Sequence, residues 1–328
     1  MLLKLADLSN LIDSAEVSPE PQPLVSIGVA SYNNAHYIHE TLDSILALTY
    51  SNKELIIVDD SSTDSSINVI EDWLAAHSNF PARLVRHLSN RGVCQVCNRI
   101  VSEARGEYIC IIGSDDLYKP HMVTMSVAEI RRRGEQCGAV YADCELIDKQ
   151  GAMLSASFLQ HFDSHFGPDY PSGNLRVPLL RGFYLPAPTV LMRRAAVLQA
   201  GPYDDSLRAE DLDMWLRLCL RWEFAFLPCV VSAYRVHQLS ATQVNKPGLN
   251  ETFFQIYRKT RFAPGPEQTA AKHMLADHAE YYYGSQGAAA APVLWYAFRE
   301  TLQPKVLALW VMARLGVKYT TLRHVLGR

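Results

Sequence analysis

Four short apolar runs follow one another in the first third of the chain: LVSIGVA from Leu24, ELIIVDD from Glu54, RLVRHL from Arg83 and EYICII from Glu107. Each is rich in Val and Ile, and each is separated from the next by a segment of helical length with helical spacing of its apolar positions. Strand and helix in that alternation predict a mostly parallel sheet covered by helices on both faces. After Lys119 the alternation loosens. AVYADCELIDKQGAMLSASF, from Ala139, reads as strand, turn and strand around Lys149–Gly151, and TVLMRR from Thr189 reads as a further strand. AEDLDMWLRLCLRW, from Ala209, predicts a helix opened by Glu210, Asp211 and Asp213, with Leu212, Trp215, Leu216 and Cys219 on its apolar face. FAFLPCVVSAYRVH then predicts a strand ending at Arg235 and His237. From Glu251 the pattern is helical to the end, with breaks at Pro264–Pro266, near Gly284–Gly287 and at Pro304.

The opening residues Leu2–Ile12 space their leucines helically, and Glu16–Pro23 reads as a linker because its three prolines cannot sit inside a helix. The expected organisation is therefore an N-terminal helix and linker over 1–23, an α/β domain over 24–245, and a helical C-terminal region over 246–328. The α/β domain divides into a leading half, 24–118, where strand and helix alternate, and a second half, 119–245, where the alternation loosens. No internal repeat is evident.

In open sheets of this kind, ligands bind beyond the carboxyl ends of the strands. The residues just past the predicted strands are Ala30–Asn33, Asp59–Thr63, Asn90–Gly92 and Ser114–Asp116, all polar groups that the rule brings towards one edge. The last is the sharpest: in CIIGSDDLYKP an apolar run stops at Gly113 and two adjacent carboxylates, Asp115 and Asp116, follow. Such a pair either solvates a surface turn or holds a hard divalent cation. The usual backbone phosphate cradles are missing, since neither G-x-G-x-x-G nor G-x-x-x-x-G-K-[ST] occurs. Diphosphate bound here would need another source of neutralisation, and Mn²⁺ or Mg²⁺ on paired carboxylates supplies it.

Composition narrows the classes. Of 328 residues, 48% are hydrophobic and 20% charged, which fits a folded protein, and the formal net charge of -3 gives no nucleic-acid signature. Seven cysteines, an odd number, and a start with no basic-then-apolar signal pattern predict reduced thiols and a cytoplasmic protein. Cys94 and Cys97 form a C-x-x-C, but on a predicted helix and without a second ligand pair at zinc spacing.

At this point the chain resembles the family 2 inverting glycosyltransferases. The resemblance is carried by VSIGVASYNNAHYIHETLDSILALTY, ELIIVDDSSTDSS, NRGVCQVCNRIVSEARGEYICIIGSDDLYKP, AEDLDMWLRL and YRVHQLSAT, five motifs in the family's order from about Leu24 to Thr242. It implies the GT-A fold, a Rossmann-like, mostly parallel sheet flanked by helices, here with a helical C-terminal region. It also implies transfer of a sugar from a nucleotide diphosphate sugar, UDP-linked by preference, to a hydroxyl of a glycan or lipid-linked acceptor, as in bacterial O-antigen or capsule assembly. By the same resemblance, Ala30, Tyr32, Asp60 and Arg91 surround the nucleoside, and Asp115 and Asp116 meet the ribose and the metal, with either carboxylate as the direct ligand. His237 lies near the metal or diphosphate, and Arg235 adds positive charge there. Asp211, in the Glu210–Asp211 pair, matches the general base. Gly113 stands where many relatives carry the first Asp of Asp-x-Asp-Asp.

A nucleotidyltransferase and a non-catalytic nucleotide-sugar-binding module are the competing readings. ASYNN after the first strand has no basic residue, against the former, and a binder has no use for Asp211. From Ala291 onward, six Lys or Arg residues (Arg299, Lys305, Arg314, Lys318, Arg323, Arg328) face one acid, Glu300, and are interleaved with Trp295, Tyr296, Phe298, Trp310 and Tyr319. That tail is either a helical bundle with a solvated basic face or a surface for anionic membrane at the inner face of the cell membrane.

Overall fold

The computed structural model describes residues 22–162, 170–237, 246–259 and 264–320. The expected helix over Leu2–Ile12 and nearly all of the Glu16–Pro23 linker lie outside the described residues, as do Gln238–Thr242 of the last motif and the basic positions Arg323 and Arg328.

The chain divides into two compact units. The first comprises residues 1–175, 184–206 and 213–237 and contains the sheet. Its strands are β1 (Val25–Ser31), β2 (Lys53–Asp59), β3 (Ala82–Arg86), β4 (Tyr108–Gly113), β5 (Leu117–Tyr118), β6 (Cys137–Ile147), β7 (Met153–Ser155), β8 (Leu191–Arg193) and β9 (Glu223–Arg235), in the order β3-β2-β1-β4-β8-β6-β9-β5, with β7 beside β6. The four predicted leading strands pair parallel as β3-β2-β1-β4. Their continuous apolar character follows from burial on both faces: every residue of β2 is buried, including Lys53, whose Nζ donates to the Leu48 and Tyr50 carbonyls at 2.9 and 2.7 Å. Helices α1 (Ile38–Leu46), α2 (Ser66–Ala76), α3 (Val93–Glu103) and α4 (Met122–Arg133) connect or follow these strands. Cys94 and Cys97 are buried on α3, where they pack as small apolar side chains.

Beyond β4 the pairing changes. β8 inserts antiparallel between β4 and β6, and β9 runs parallel to β6 over most of its length through several register shifts. β9 also receives β5 antiparallel, Leu117 opposite Ala233 and Tyr118 opposite Ser232. That two-residue strand draws the segment after Asp116 against the end of β9, so residues more than a hundred positions apart meet.

The second unit comprises residues 176–183, 207–212 and 238–328. It is helical in its described part: α9 (Lys246–Lys259), α10 (Pro266–Gln286), α11 (Ala291–Thr301) and α12 (Pro304–Arg314), numbered after the short α5 (Phe158–Phe162), α6 (Arg176–Leu180), α7 (Arg194–Ala200) and α8 (Asp211–Leu218). Prolines open α10, α11 and α12, where a missing N–H costs nothing. The expected break near Gly284–Gly287 falls at Gly287, with φ of 57°. The buried faces carry Leu275, Ala279 and Tyr283 of α10, Leu294 and Ala297 of α11 and Val306, Leu309 and Ala313 of α12. Arg176, itself buried, is paired with Glu267 at 2.7 Å.

Candidate active site

Register aligns the carboxyl ends of the leading strands. Ser31 lies opposite Asp59, Ala30 opposite Gly113, and Asp59 opposite Arg86. The ladder runs one step further, through Asp60 N to Ser31 O (2.9 Å), His87 N to Asp59 O (2.9 Å) and Ser114 N to Ala30 O (3.1 Å). Tyr32, Asp60, His87 and Ser114 are therefore the first residues to leave the sheet, side by side along one edge.

The loops after β1 and β2 are stitched together. Asp59 accepts from the Ser31 hydroxyl and from the Ser62 amide and hydroxyl, at 3.0, 2.8 and 2.6 Å. Asn33 Oδ1 accepts the Thr63 amide, and Ser62 Oγ accepts the Asn33 amide. Asn33 (φ 52°) and Ser61 (φ 65°) hold left-handed backbone there, a conformation that costs a non-glycine residue energy and persists only where surrounding bonds impose it.

Asp60 is buried and fully engaged. Oδ1 accepts from His87 Nδ1 at 2.7 Å and the Arg91 amide at 2.9 Å, while Oδ2 accepts the Gly92 amide at 2.8 Å. Gly92 adopts φ 83° at the start of α3, a turn open to glycine and strained for other residues, and it is this turn that aims both amides at the carboxylate. The sequence brought Asp60 and Arg91 together, and here Arg91 meets Asp60 through its backbone. Tyr32 stands 45% exposed at the same edge.

At the end of β4, Asp115 and Asp116 are met by the end of β9. The Arg235 amide donates to Asp116 Oδ1 at 2.8 Å, and His237 Nε2 lies 2.9 Å from Asp115 Oδ2. The Arg235 side chain is 1% exposed. Its Nε donates to the Asp115 carbonyl, one terminal nitrogen donates to the Asp148 carbonyl, the other pairs with Glu40 at 2.7 Å, and its guanidinium lies over the Tyr37 ring. Tyr37 in turn sits against His237, ring centroids 4.9 Å apart. The guanidinium is thus committed to fixing the aspartate turn. Asp116 is 5% exposed, and burial, reinforced by the Asp115 charge, pushes its carboxyl well above the usual carboxylate range against the opposing pull of Arg235.

No group of three or more His, Cys, Asp or Glu side chains arranged to hold a metal ion is found among the described residues. Two adjacent carboxylates, one with its ionisation opposed by burial and by its neighbour, are nonetheless oxygen donors of the type that a hard cation takes one or two at a time.

Glu210 and Asp211 belong to the second unit, at the start of α8. Asp211 Oδ1 accepts the Leu212 amide at 2.7 Å. Burial raises both carboxyls, Glu210 to about 7 with the Asp211 charge adding to the effect, while amides of the helix start oppose the rise at Asp211. Asp213, in the same acidic run, is bound to Arg217 at 2.9 Å.

Sequence reasoning did not single out His87, Tyr37 or Glu40. His87 had a usable signal, since it stands one residue past β3 and the strand-end rule that gathered Asn90–Gly92 covers it equally. Tyr37 and Glu40 owe their place to the distant β9, which no local pattern reveals.

The family model described as "Glycosyl transferase family 2" matches residues 26–196, more than half of the chain. An uncharacterized glycosyltransferase of Rickettsia bellii is 32% identical over 199 residues, 60% of this chain and 27% of that protein, so the chain spans about a quarter of that relative's length. Among solved structures, S. aureus TarS 1–349 in complex with UDP-GlcNAc superposes with TM-score 0.65 at 16% identity, covering 89% of this chain and 87% of that one. Mannosyltransferase PcManGT from Pyrobaculum calidifontis, in complex with GDP-Man and Mn²⁺, superposes with TM-score 0.58 at 18% identity over 98% and 94% of the two chains. Those two likenesses establish the architecture, a GT-A sheet with a helical C-terminal region, and the family match establishes kinship: this chain belongs to glycosyl transferase family 2.

Proposed function

We propose that the chain is a metal-dependent inverting glycosyltransferase that moves a sugar from a nucleotide diphosphate sugar, a UDP-sugar first, to a hydroxyl of a glycan or glycolipid in bacterial surface polysaccharide assembly. The observation that carries this reading is the Asp115–Asp116 turn at the carboxyl edge of the sheet, with Asp116 buried and both residues held by Arg235 and His237. The solved relatives that hold UDP-GlcNAc, or GDP-Man with Mn²⁺, support the donor class.

In this reading Asp115, Asp116 and His237 would hold Mn²⁺ or Mg²⁺, which would supply positive charge to neutralise the diphosphate as a leaving group. Ala30, Tyr32, Asp60 and Arg91 hold the nucleoside. Asp211 accepts the acceptor hydroxyl's proton as the new carbon–oxygen bond forms at the anomeric carbon and the bond to the diphosphate breaks. A single displacement of this kind inverts that carbon and requires no nucleophilic carboxylate. A panel of UDP-GlcNAc, UDP-glucose, dTDP-glucose and GDP-mannose, scored with Mn²⁺ by thermal shift and by release of nucleotide diphosphate, should pick out one nucleoside. If none stabilises the protein or is hydrolysed, the donor reading fails.

The helical unit adds a proposal about place. No helix among the described residues is long and apolar enough to cross a membrane. Trp295, Leu302, Val311 and Leu315 are exposed, with Arg299, Arg314 and Lys318 exposed beside them in sequence, and Trp295 packs on Trp310 at 4.8 Å, joining α11 to α12. Lys305 is instead paired with Glu280. We propose that this face rests on anionic lipid. The protein is expected to sediment with phosphatidylglycerol-containing vesicles and not with phosphatidylcholine alone. Arg299→Glu with Arg314→Glu should weaken the association at least about fivefold per residue; undiminished binding would remove this face from the membrane role.

A further inference from the structure

His87 is not part of any motif that carried the family resemblance, yet it makes the shortest bond to Asp60. Its Nδ1 stands 2.7 Å from Asp60 Oδ1, and the two side chains are 7% and 5% exposed. An ionised carboxylate only accepts, so the Nδ1 position must carry the proton and donate it. The remaining contacts of the Asp60 carboxylate are backbone amides of one loop: Arg91 to both oxygens, at 2.9 and 3.1 Å, and Gly92 to Oδ2 at 2.8 Å. The His87 amide, meanwhile, extends the β2–β3 ladder by donating to Asp59 O at 2.9 Å. The imidazole is therefore anchored to the sheet at its backbone and hands that rigidity to a carboxylate, which hands it to the Arg91–Gly92 turn. Without the imidazole, the Asp60 backbone would stay on the sheet through its amide bond to Ser31 O, but the carboxylate would keep bonds only to the loop it is meant to fix, and the two could swing together.

Resting on the donor reading above, we propose that His87 is a positioning residue for the nucleobase: by fixing Asp60 and, through it, the Arg91–Gly92 backbone, it sets affinity for the nucleoside half of the donor. The diphosphate half is held independently. Asp115 and Asp116 are tied to Arg235 and His237, and none of the contacts described for that turn reaches Asp60 or His87. Removing the imidazole should consequently separate the two halves of the ligand, which a general loss of folding would not do.

Asn places a donor close to where Nδ1 stands, whereas Leu fills the space without one. Full-length wild type, His87→Leu and His87→Asn are titrated by calorimetry with UDP, GDP and inorganic pyrophosphate, all with Mn²⁺, and melted in parallel. For whichever nucleotide the wild type binds, His87→Leu should raise Kd about tenfold or more, the worth of a hydrogen bond to a charged group. Pyrophosphate affinity should stay within about twofold, and His87→Asn should recover most of the nucleotide affinity. Equal loss for nucleotide and pyrophosphate, or no loss for either, overturns the inference. If His87→Leu does not fold, His87→Gln takes its place: its amide reaches past the Nδ1 position, so it should bind nucleotide more weakly than His87→Asn, and equal binding overturns the inference. Wild-type protein that binds neither nucleotide overturns the donor reading and this inference with it, whereas nucleotide binding that survives intact in every variant overturns this inference alone.

Discussion

Replacing Asp211 with Asn is expected to lower turnover by a factor on the order of 10² to 10⁴ while leaving donor affinity nearly unchanged. The amide keeps the shape of the side chain and removes its ability to take a proton. Donor contacts in the proposed mechanism come from Asp60, Arg91, Asp115 and Asp116, so binding of nucleotide diphosphate should survive. Stability is the necessary control, because Asp211 opens α8 and loss of a helix cap costs ~1 kcal/mol. Here the expected sign is informative. Burial raises the Asp211 carboxyl above its ordinary value, so ionisation disfavours the folded state at neutral pH, and a neutral amide removes that cost. The variant should therefore melt no lower than wild type at pH 8. The same shift predicts that wild-type turnover declines as pH falls towards the raised carboxyl range, since protonation disables the base, and that the decline begins above the range of an exposed carboxylate. Near-normal transfer by a folded Asp211→Asn protein would sink the assignment and make Glu210, held at about 7, the next candidate.

The second large effect concerns the metal. A ligand that binds only the folded state at a hundred times its Kd adds about 2.7 kcal/mol of apparent stability. Nucleotide diphosphate should raise the melting temperature far more with Mn²⁺ or Mg²⁺ than with EDTA, and Asp116→Ala should abolish that increment. The fold should tolerate the change. Asp116 is a buried carboxyl whose ionisation is opposed by its surroundings, and its main support is one backbone amide, that of Arg235. Equal stabilisation with cation and with chelator would remove the metal role altogether. A metal increment that persists in Asp116→Ala would shift it to Asp115 and His237, whose 2.9 Å contact supplies an alternative pair of ligands.

The leading half of the sheet was legible because burial on both faces leaves a plain trace: a fully buried parallel strand such as β2 must be apolar nearly throughout. Strand ends then gave Asp60, Asp115 and Asp116 by rule. What lay beyond was tertiary. β5 is two residues long, too short for any periodicity, yet its pairing with β9 draws Arg235 and His237 to the aspartate turn. The side chain of Arg235 reads in sequence as a surplus positive charge, and only its neighbours Glu40, Tyr37 and Asp148 reveal that it braces a loop. Helix-start patterning alone reads Glu210, Asp211 and Asp213 alike, and only the resemblance sets Asp211 apart, whereas in the structure Asp213 is taken up by Arg217 and Asp211 is not. Identical residues in one helical turn were separated by partners that the local pattern does not encode.

Gly113 has a consequence for how this site could change over time. A methyl group built on its Cα would stand 2.7 Å from Asp115 Oδ1, closer than atoms settle without something shifting. Any side chain gained at 113 must move Asp115 Oδ1, the oxygen beside the one in contact with His237. Restoring the leading aspartate of the Asp-x-Asp-Asp pattern would thus not add a third acid to two that stay put. It would require Asp115 Oδ1, next to the oxygen that meets His237, to move aside. A substitution at 113 is therefore expected to be felt first at the Asp115 carboxylate and, through its second oxygen, at His237.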